Sequence, residues 1–329
     1  APAVTTMVVG GGIAGVACAT ALARGGVPVE LRERSARLGG RMRSTTLQGT
    51  GTPHDGRLVD VGASYLTARD PAFRAVIDDL VDRRVLRPWT DAFHVADARG
   101  LVGVSAGPMR YAAADGLDAV VRTLADDVDG LRVRLGSPVA AVRHASGLRV
   151  DGEPVVAAAL CLPDPAARTI CPEPAADPVA WEPVIAVTMV FDRRSWTEID
   201  GVFVNDDPAI TWIADDGRRR GDEAPVLVAF THPVLSARHR SEPGRVVPAV
   251  VAATRRVLGI TTAPDWVDAL AWEHAKPLAA APQPYLLAPQ AALGLAGDAW
   301  ADGPRVEAAW MSGTALGDAL VERVTADSR

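Results

Sequence analysis

Lysine is almost missing from this chain: of 34 basic residues only Lys276 is a lysine, and the rest are arginines. Any chemistry that needs an ε-amine therefore has one candidate. Cysteine is also scarce, and Cys18, Cys161 and Cys171 fall in no metal-ligand spacing, so they read as reduced packing residues and no metal site is expected. No charge of one sign dominates. A net charge of −6 and a pI of about 5.6 argue against nucleic acid or an anionic membrane as partner. No run of about twenty apolar residues occurs, so a membrane span is not expected. The opening Ala1-Pro2-Ala3-Val4 lacks the charged and apolar regions of a secretion signal, which makes the cytoplasm the expected location. With 329 residues, 48% of them hydrophobic, the chain can bury a large core and should form about two domains.

What is present concentrates at the start. The β-branched run Val4 to Val9 predicts a buried parallel strand, and it runs into Gly10-Gly11-Gly12-Ile13-Ala14-Gly15, a G-x-G-x-x-G turn. Gly10 permits the tight turn, Gly12 lets backbone approach a pyrophosphate, and Gly15 lets the next helix pack on the strand. That helix, from about Ala14 to Arg24, aims free amides and a partial positive charge at the phosphates, with Ile13 and Ala14 in its first turn. A second strand, Val27 to Arg32, delivers Glu33 and Arg34. Glu33 sits where a carboxylate accepts hydrogen bonds from a ribose diol.

The next element, Leu38-Gly39-Gly40-Arg41-Met42-Arg43, is not needed by a domain that binds NAD. Two glycines and a guanidinium fork suit the second phosphate of a dinucleotide along the sheet edge. With this G-G-R element behind the cradle, the chain resembles the flavoprotein superfamily of amine oxidases. The resemblance implies FAD held by Gly10, Gly12, Gly15, Glu33, Gly40, Arg41 and Met42.

Further along, Asp60-Val61-Gly62-Ala63-Ser64-Tyr65-Leu66-Thr67-Ala68-Arg69-Asp70-Pro71-Ala72-Phe73 resembles the D-x-G-A-x-Y-x-T-A-R-D-P-x-F signature of bacterial renalase-like flavoproteins. The resemblance places Gly62, Ala63 and Ser64 beside the isoalloxazine ring and Val139 against the adenine. Family members commonly carry glutamine where this chain has Ser64, so the side chain there is short. Near the carboxy terminus, Gly297-Asp298 ends a buried strand, and Arg305-Val306-Glu307 opens a helix through Leu320. Asp298 can accept from a ribityl hydroxyl, and the helix start can stabilise negative charge at flavin N1 and O2.

The expected fold class is α/β: a Rossmann-like FAD-binding domain of the glutathione-reductase/amine-oxidase type, with an inserted α+β substrate domain built on an antiparallel sheet. The FAD domain is expected over 1–72, 108–165 and 281–329, and the substrate domain over 73–107 and 166–280. Asp70 should cap a helix that starts at Pro71. Strands are expected at Ile185 to Phe191, Gly201 to Val204, Ile210 to Ala214 and Val226 to Phe230, separated by charged turns such as Asp215 to Asp222. Helices are expected at Pro243 to Leu258 and after Pro264. Trp181, Trp196, Trp212, Trp266 and Trp272 could sandwich a flat substrate or simply fill the core.

The candidate catalytic residues are Ser64, Tyr65, His274 and Lys276. His94 could also face substrate, although a lone strand histidine is more often structural. By resemblance the reaction is hydride transfer from a small donor, a dihydronicotinamide isomer, to flavin N5, with O2 then reduced to hydrogen peroxide. Two alternatives stay open: an amine oxidase or desaturase acting on a biosynthetic intermediate, and a flavin-binding protein without turnover.

Overall fold

The computed structural model describes residues 5–172 and 179–329. Val4, expected to open the first strand, and the rest of Ala1 to Val4 lie outside them. The first sheet runs in the order Leu286–Leu287, Leu293–Leu295, Ala157–Leu160, Thr6–Val9, Val29–Arg32, Arg132–Arg134. All its pairings are parallel except that of the Leu286–Leu287 edge strand. Thr6–Val9 and Ala157–Leu160 are buried on both faces, which explains why they are unbroken short apolar runs rather than alternating ones. The sheet is woven from strands that are far apart in sequence. The α/β, Rossmann-like expectation is met.

One face of this sheet carries the helix Ile13–Arg24, and against it lies the 22-residue helix Val306–Asp327. They pack at backbone contact because Gly313 has no side chain: a Cβ there would lie 2.0 Å from the carbonyl oxygen of Ala14. The carboxy-terminal helix is thereby fixed to the cradle helix. No helix among the described residues is long and apolar enough to cross a membrane.

The second sheet has seven strands in the order Trp266–Pro277, Trp181–Val190, Val226–Thr231, Ile210–Asp215, Gly201–Val204, Arg87–Asp97, Gly100–Ala112. It is antiparallel except where Gly201–Val204 runs beside Arg87–Asp97. Its residues alternate as period two requires. Ile185, Val187, Val202, Ile213 and Leu227 pack with Val250, Ala253 and Val257 of the helix Val247–Leu258. Ala186, Val190, Val226 and Val228 face the other way and pack with Val59 and Val61 of the first domain, while Phe93 and Trp212 cluster with Tyr65. That second face covers the candidate site.

Several local expectations need correction. No second helix follows Pro264; the segment is the strand Trp266–Pro277, because its ladder with Trp181–Val190 overrides local helix propensity. The expected charged turn at Asp215 to Asp222 holds the helix Asp216–Arg220, whose Asp216 and Arg219 are fully buried. Pro163-Asp164-Pro165 ends one strand and at once opens the helix Asp164–Ile170. Arg87–Asp97 and Gly100–Ala112 form one long hairpin, so Arg110 and Tyr111, which fall within the 108–165 segment expected in the first domain, are in a strand of the second sheet. The Asp70 cap is as expected: its carboxylate accepts from the amides of Ala72 (2.9 Å) and Phe73 (3.0 Å) and starts Pro71–Asp82.

Candidate active site

The glycine turn does what its spacing requires. Gly12 precedes the Ile13–Arg24 helix with extended backbone and no side-chain cap, leaving first-turn amides available to an anion. Ile13 and Ala14 are buried in that turn. Glu33 follows the second strand and is 9% exposed; its Oε2 accepts from the Gly11 amide at 2.7 Å and its Oε1 from the Ser35 amide at 3.0 Å. Two donors hold this carboxylate against the glycine turn. Arg34, next in sequence, is exposed.

Arg32 sets the position of Val139: its guanidinium donates to Ser137 Oγ (3.0 Å) and the Pro138 carbonyl (2.7 Å) and pairs with Asp151 (3.1 Å). The Ser137 amide donates to the Glu33 carbonyl at 2.9 Å. Half-buried Val139 therefore lies close to Glu33, although 106 positions separate them.

Three distant segments meet at Arg41. It sits in the single turn Gly40–Met42, with Met42 buried below it. Its guanidinium grips both carboxylate oxygens of Asp298 (2.7 and 3.0 Å), donates to the Ala275 carbonyl at 3.2 Å, and lies 5.4 Å above the Trp181 ring. Sequence spacing assigned Arg41 to a phosphate and Asp298 to a ribityl hydroxyl; here they pair with one another. Gly297 precedes Asp298 with its amide bonded to Ser312 Oγ at 3.0 Å.

The Gly62 to Tyr65 stretch lies on this turn. A Cβ at Gly62 would come within 2.1 Å of the Arg41 carbonyl oxygen, and the Ala63 amide donates to that same oxygen at 2.8 Å. Trp272 Nε1 ties down the Val61 carbonyl at 2.7 Å. Ser64, half-buried, has its carbonyl held by Arg219 Nη1 at 3.1 Å.

Arg219 belongs to a buried lattice that sequence reasoning missed. Fully buried Asp216 accepts from Arg57 (2.6 Å) and Arg219 (2.7 Å) and pairs with Arg220 at 3.4 Å. Asp60 accepts from Arg220 (2.7 Å), Ser44 Oγ (2.7 Å) and the Leu117 amide (2.9 Å). Burial pushes the Asp216 pKa up, but the three guanidinium groups outweigh it and hold the carboxyl well below the usual range. The available signal was three consecutive arginines after two aspartates, directly after an apolar strand.

Glu307 is almost fully buried, and its Oε1 accepts from the amides of Arg69 (2.7 Å) and Asp70 (2.6 Å). It clamps the carboxy-terminal helix to the end of the Ser64–Asp70 stretch. Val306 begins that helix, and Arg305 precedes it with no side-chain cap and with a buried Nε that finds no partner among the described residues.

The candidate catalytic residues separate. Tyr65 joins an aromatic cluster, 5.2 Å from Phe93 and 6.0 Å from Trp212, and burial pushes its phenol pKa up. His274 makes an edge contact with Trp181 at 6.0 Å, beneath Arg41. Burial, with Arg41, Arg240 and Arg34, lowers its pKa from the ordinary value against the opposing pull of Glu273. Lys276 is 51% exposed and paired with Glu182 at 3.2 Å. His94 alternates away from Phe93, onto the face whose Ala96 packs with the Val247–Leu258 helix. The tryptophans form no single cage: Trp196 packs on Phe191, while Trp181, Trp212 and Trp272 lie at separate points of the inner face. No metal-binding cluster occurs among the described residues.

Comparison with known families decides the assignment. Residues 8–80 match an NAD(P)-binding Rossmann-like domain, and residues 90–316 match the flavin containing amine oxidoreductase family. The chain belongs to the flavin-containing amine oxidoreductases. Solved structures share the fold at low identity. A protein assigned as a protoporphyrinogen oxidase from Exiguobacterium sp. 255-15 superposes with a TM-score of 0.77 at 16% identity, covering 98% of this chain and 99% of that one. Cyclohexylamine oxidase from Brevibacterium oxydans IH-35A gives 0.75 at 15% identity, covering 98% and 100%. An oxidoreductase from Methanosarcina mazei gives 0.70 at 11% identity, covering 95% and 99%.

This flavin-containing amine oxidoreductase is an FAD-dependent enzyme, and its residues fit the cofactor. Uncapped amides after Gly12, the oriented Glu33 carboxylate, the Gly40–Met42 turn packed on Gly62, and the unpartnered Arg305 Nε supply donors and acceptors for a dinucleotide. Glu33 and Val139 would hold the adenosine half, the first-turn amides and Arg41 the phosphates, and Gly62, Ala63, Asp298 and the Val306 helix start the flavin half.

Proposed function

We propose that this enzyme is renalase-like: it oxidises a small dihydronicotinamide-type donor and passes the electrons to O2, giving hydrogen peroxide. Bound FAD supplies a two-electron acceptor for a hydride and a route to O2. The chain's own residues bind and orient the donor, and they exclude water from the face between Gly62–Tyr65 and the second sheet. The observation that carries this reading is the fate of the only lysine. Lys276 is half exposed and paired with Glu182, and the ion pair touching the Gly62–Tyr65 stretch, Asp216 with Arg219, is fully buried and engaged with backbone carbonyls, so neither serves as a proton-transferring acid and base pair. A donor that already holds a transferable hydride needs no such pair.

One observation favours a second reading, oxidation of an amine. The lowered pKa of His274 keeps its imidazole neutral at pH 7, beside Trp181 and Arg41, where it could accept a proton from a substrate ammonium. Cyclohexylamine oxidase and putrescine oxidase share the fold. Anaerobic mixing with dihydronicotinamide isomers and, separately, with a panel of amines tests the two. Bleaching of the flavin absorbance by the dihydronicotinamides alone supports the first reading, and bleaching by amines alone replaces it with the second.

A further inference from the structure

Arg110 is a buried cation without a counter-charge. It is 6% exposed, and its Nε and Nη1 find no hydrogen-bond partner among the described residues. No carboxylate among the described residues lies within ion-pairing distance of it. Its guanidinium carbon stands 4.2 Å from the centre of the Phe93 ring and 5.8 Å from that of Tyr65. Phe93 packs in turn on Trp212 at 4.9 Å and on Phe203 at 5.4 Å.

The backbone is built to aim this side chain. In the Arg87–Asp97/Gly100–Ala112 hairpin, Ala92 pairs with Ala106 and Thr90 with Arg110, so Gly107, Pro108 and Met109 stand opposite Asp91 alone. A bulge of this kind re-aims the residue beside it. Gly107 makes the room: a Cβ there would lie 2.6 Å from Arg110 Nη2. The neighbouring Tyr111 pairs with Leu66, so the bulge is joined to the stretch that carries Ser64 and Tyr65.

A buried guanidinium stacked on aromatic rings loses its hydration and regains only part of it from the rings. Structural arginines in this same chain, such as Arg219 and Arg220, are buried together with carboxylates. Arg110 is not, and it lies beside the stretch assigned to the flavin. We propose that Arg110 is the anion subsite of the substrate site: the enzyme's donor carries a negatively charged group that pairs with Arg110 while its planar part lies against the partly open ring of Tyr65, which the buried Phe93 and Trp212 support from behind. This rests on the reading of that face as the substrate side. It adds that the substrate is an anion, whether a carboxylate or a phosphate ester.

The test is a binding titration of the holoenzyme with benzoate, phenyl phosphate and the neutral benzamide, read by perturbation of the flavin absorbance and by the shift in Tm. The two anions should bind about ten- to a hundred-fold more tightly than benzamide, the worth of hydrogen bonds to a charged group. Whichever anion binds better identifies the source of the charge. Arg110→Met should abolish the preference and Arg110→Lys should keep part of it. Equal binding of anions and benzamide by the unmodified enzyme overturns the proposal without any variant, as does an Arg110→Met protein that retains the preference. Neither dihydronicotinamides nor amines need reduce the flavin for this result to hold, so a failed donor assignment and a failed subsite give different outcomes.

Discussion

Replacing Asp216 with alanine would leave Arg57, Arg219 and Arg220 facing one another in the interior. Asp216 is fully buried and makes contacts of 2.6 and 2.7 Å to the first two and 3.4 Å to the third. Removing one partner from a buried ion pair costs about 3–5 kcal/mol, because the remaining charge is stranded. At about 2–4 °C per kcal/mol for a large domain, Tm should fall by roughly 6–20 °C. Asp222→Ala is the control. It removes the other carboxylate on Arg57, but that group is 41% exposed, so the loss should stay below about 1 kcal/mol. Since Arg219 also holds the carbonyls of Asp60 and Ser64, Asp216→Ala should release flavin at a lower temperature than the control does. The pKa of Asp216 is lowered by folding, so its stabilisation is fully present above the unfolded value of 3.8 and is lost only as pH falls below it. Differential scanning fluorimetry, following tryptophan and flavin emission separately, measures both effects. Equal melting of the two variants would refute the view that this lattice positions the flavin stretch.

Gly62→Ala should push the Gly62–Tyr65 stretch off the Arg41 turn, since the added Cβ meets backbone oxygen at 2.1 Å; purified protein should carry markedly less flavin by its visible absorbance. Glu307→Gln keeps the shape but weakens two charge-assisted bonds from the Arg69 and Asp70 amides, for a loss of about 1–3 kcal/mol in denaturant unfolding. His274 should titrate below 6.5 by NMR, so its share of stability is present above pH 6.5 and declines as pH falls below it; replacing Arg41 with methionine should move the titration upward, second to the effect of burial.

The cradle was legible because its chemistry dictates consecutive residues: strand, glycines, uncapped helix and acid follow one another within thirty positions. Arg41 and Asp298 were legible as motif members, but their pairing was not, because 257 positions separate them. The Asp216 lattice was hidden for another reason. Charged residues between strands usually lie in solvent, and only the fold shows that Arg57 and Asp60 cover them from the opposite domain. Arg110 went unseen because a β-bulge, which leaves no periodic trace, turns it inward. Only the start of the Trp266–Pro277 strand, just after Pro264, read as a helix, because its ladder partner lies some eighty positions earlier.

The account stands on FAD held between the glycine cradle, the Arg41 turn and the Asp298 strand end. The most direct measurement is the absorption spectrum of the purified protein, followed by denaturation and chromatography of the released chromophore. The account predicts a flavin spectrum and the release of intact FAD in amounts matching the protein. Protein that carries no flavin and binds none when supplied with FAD, or that releases FMN instead, would contradict it.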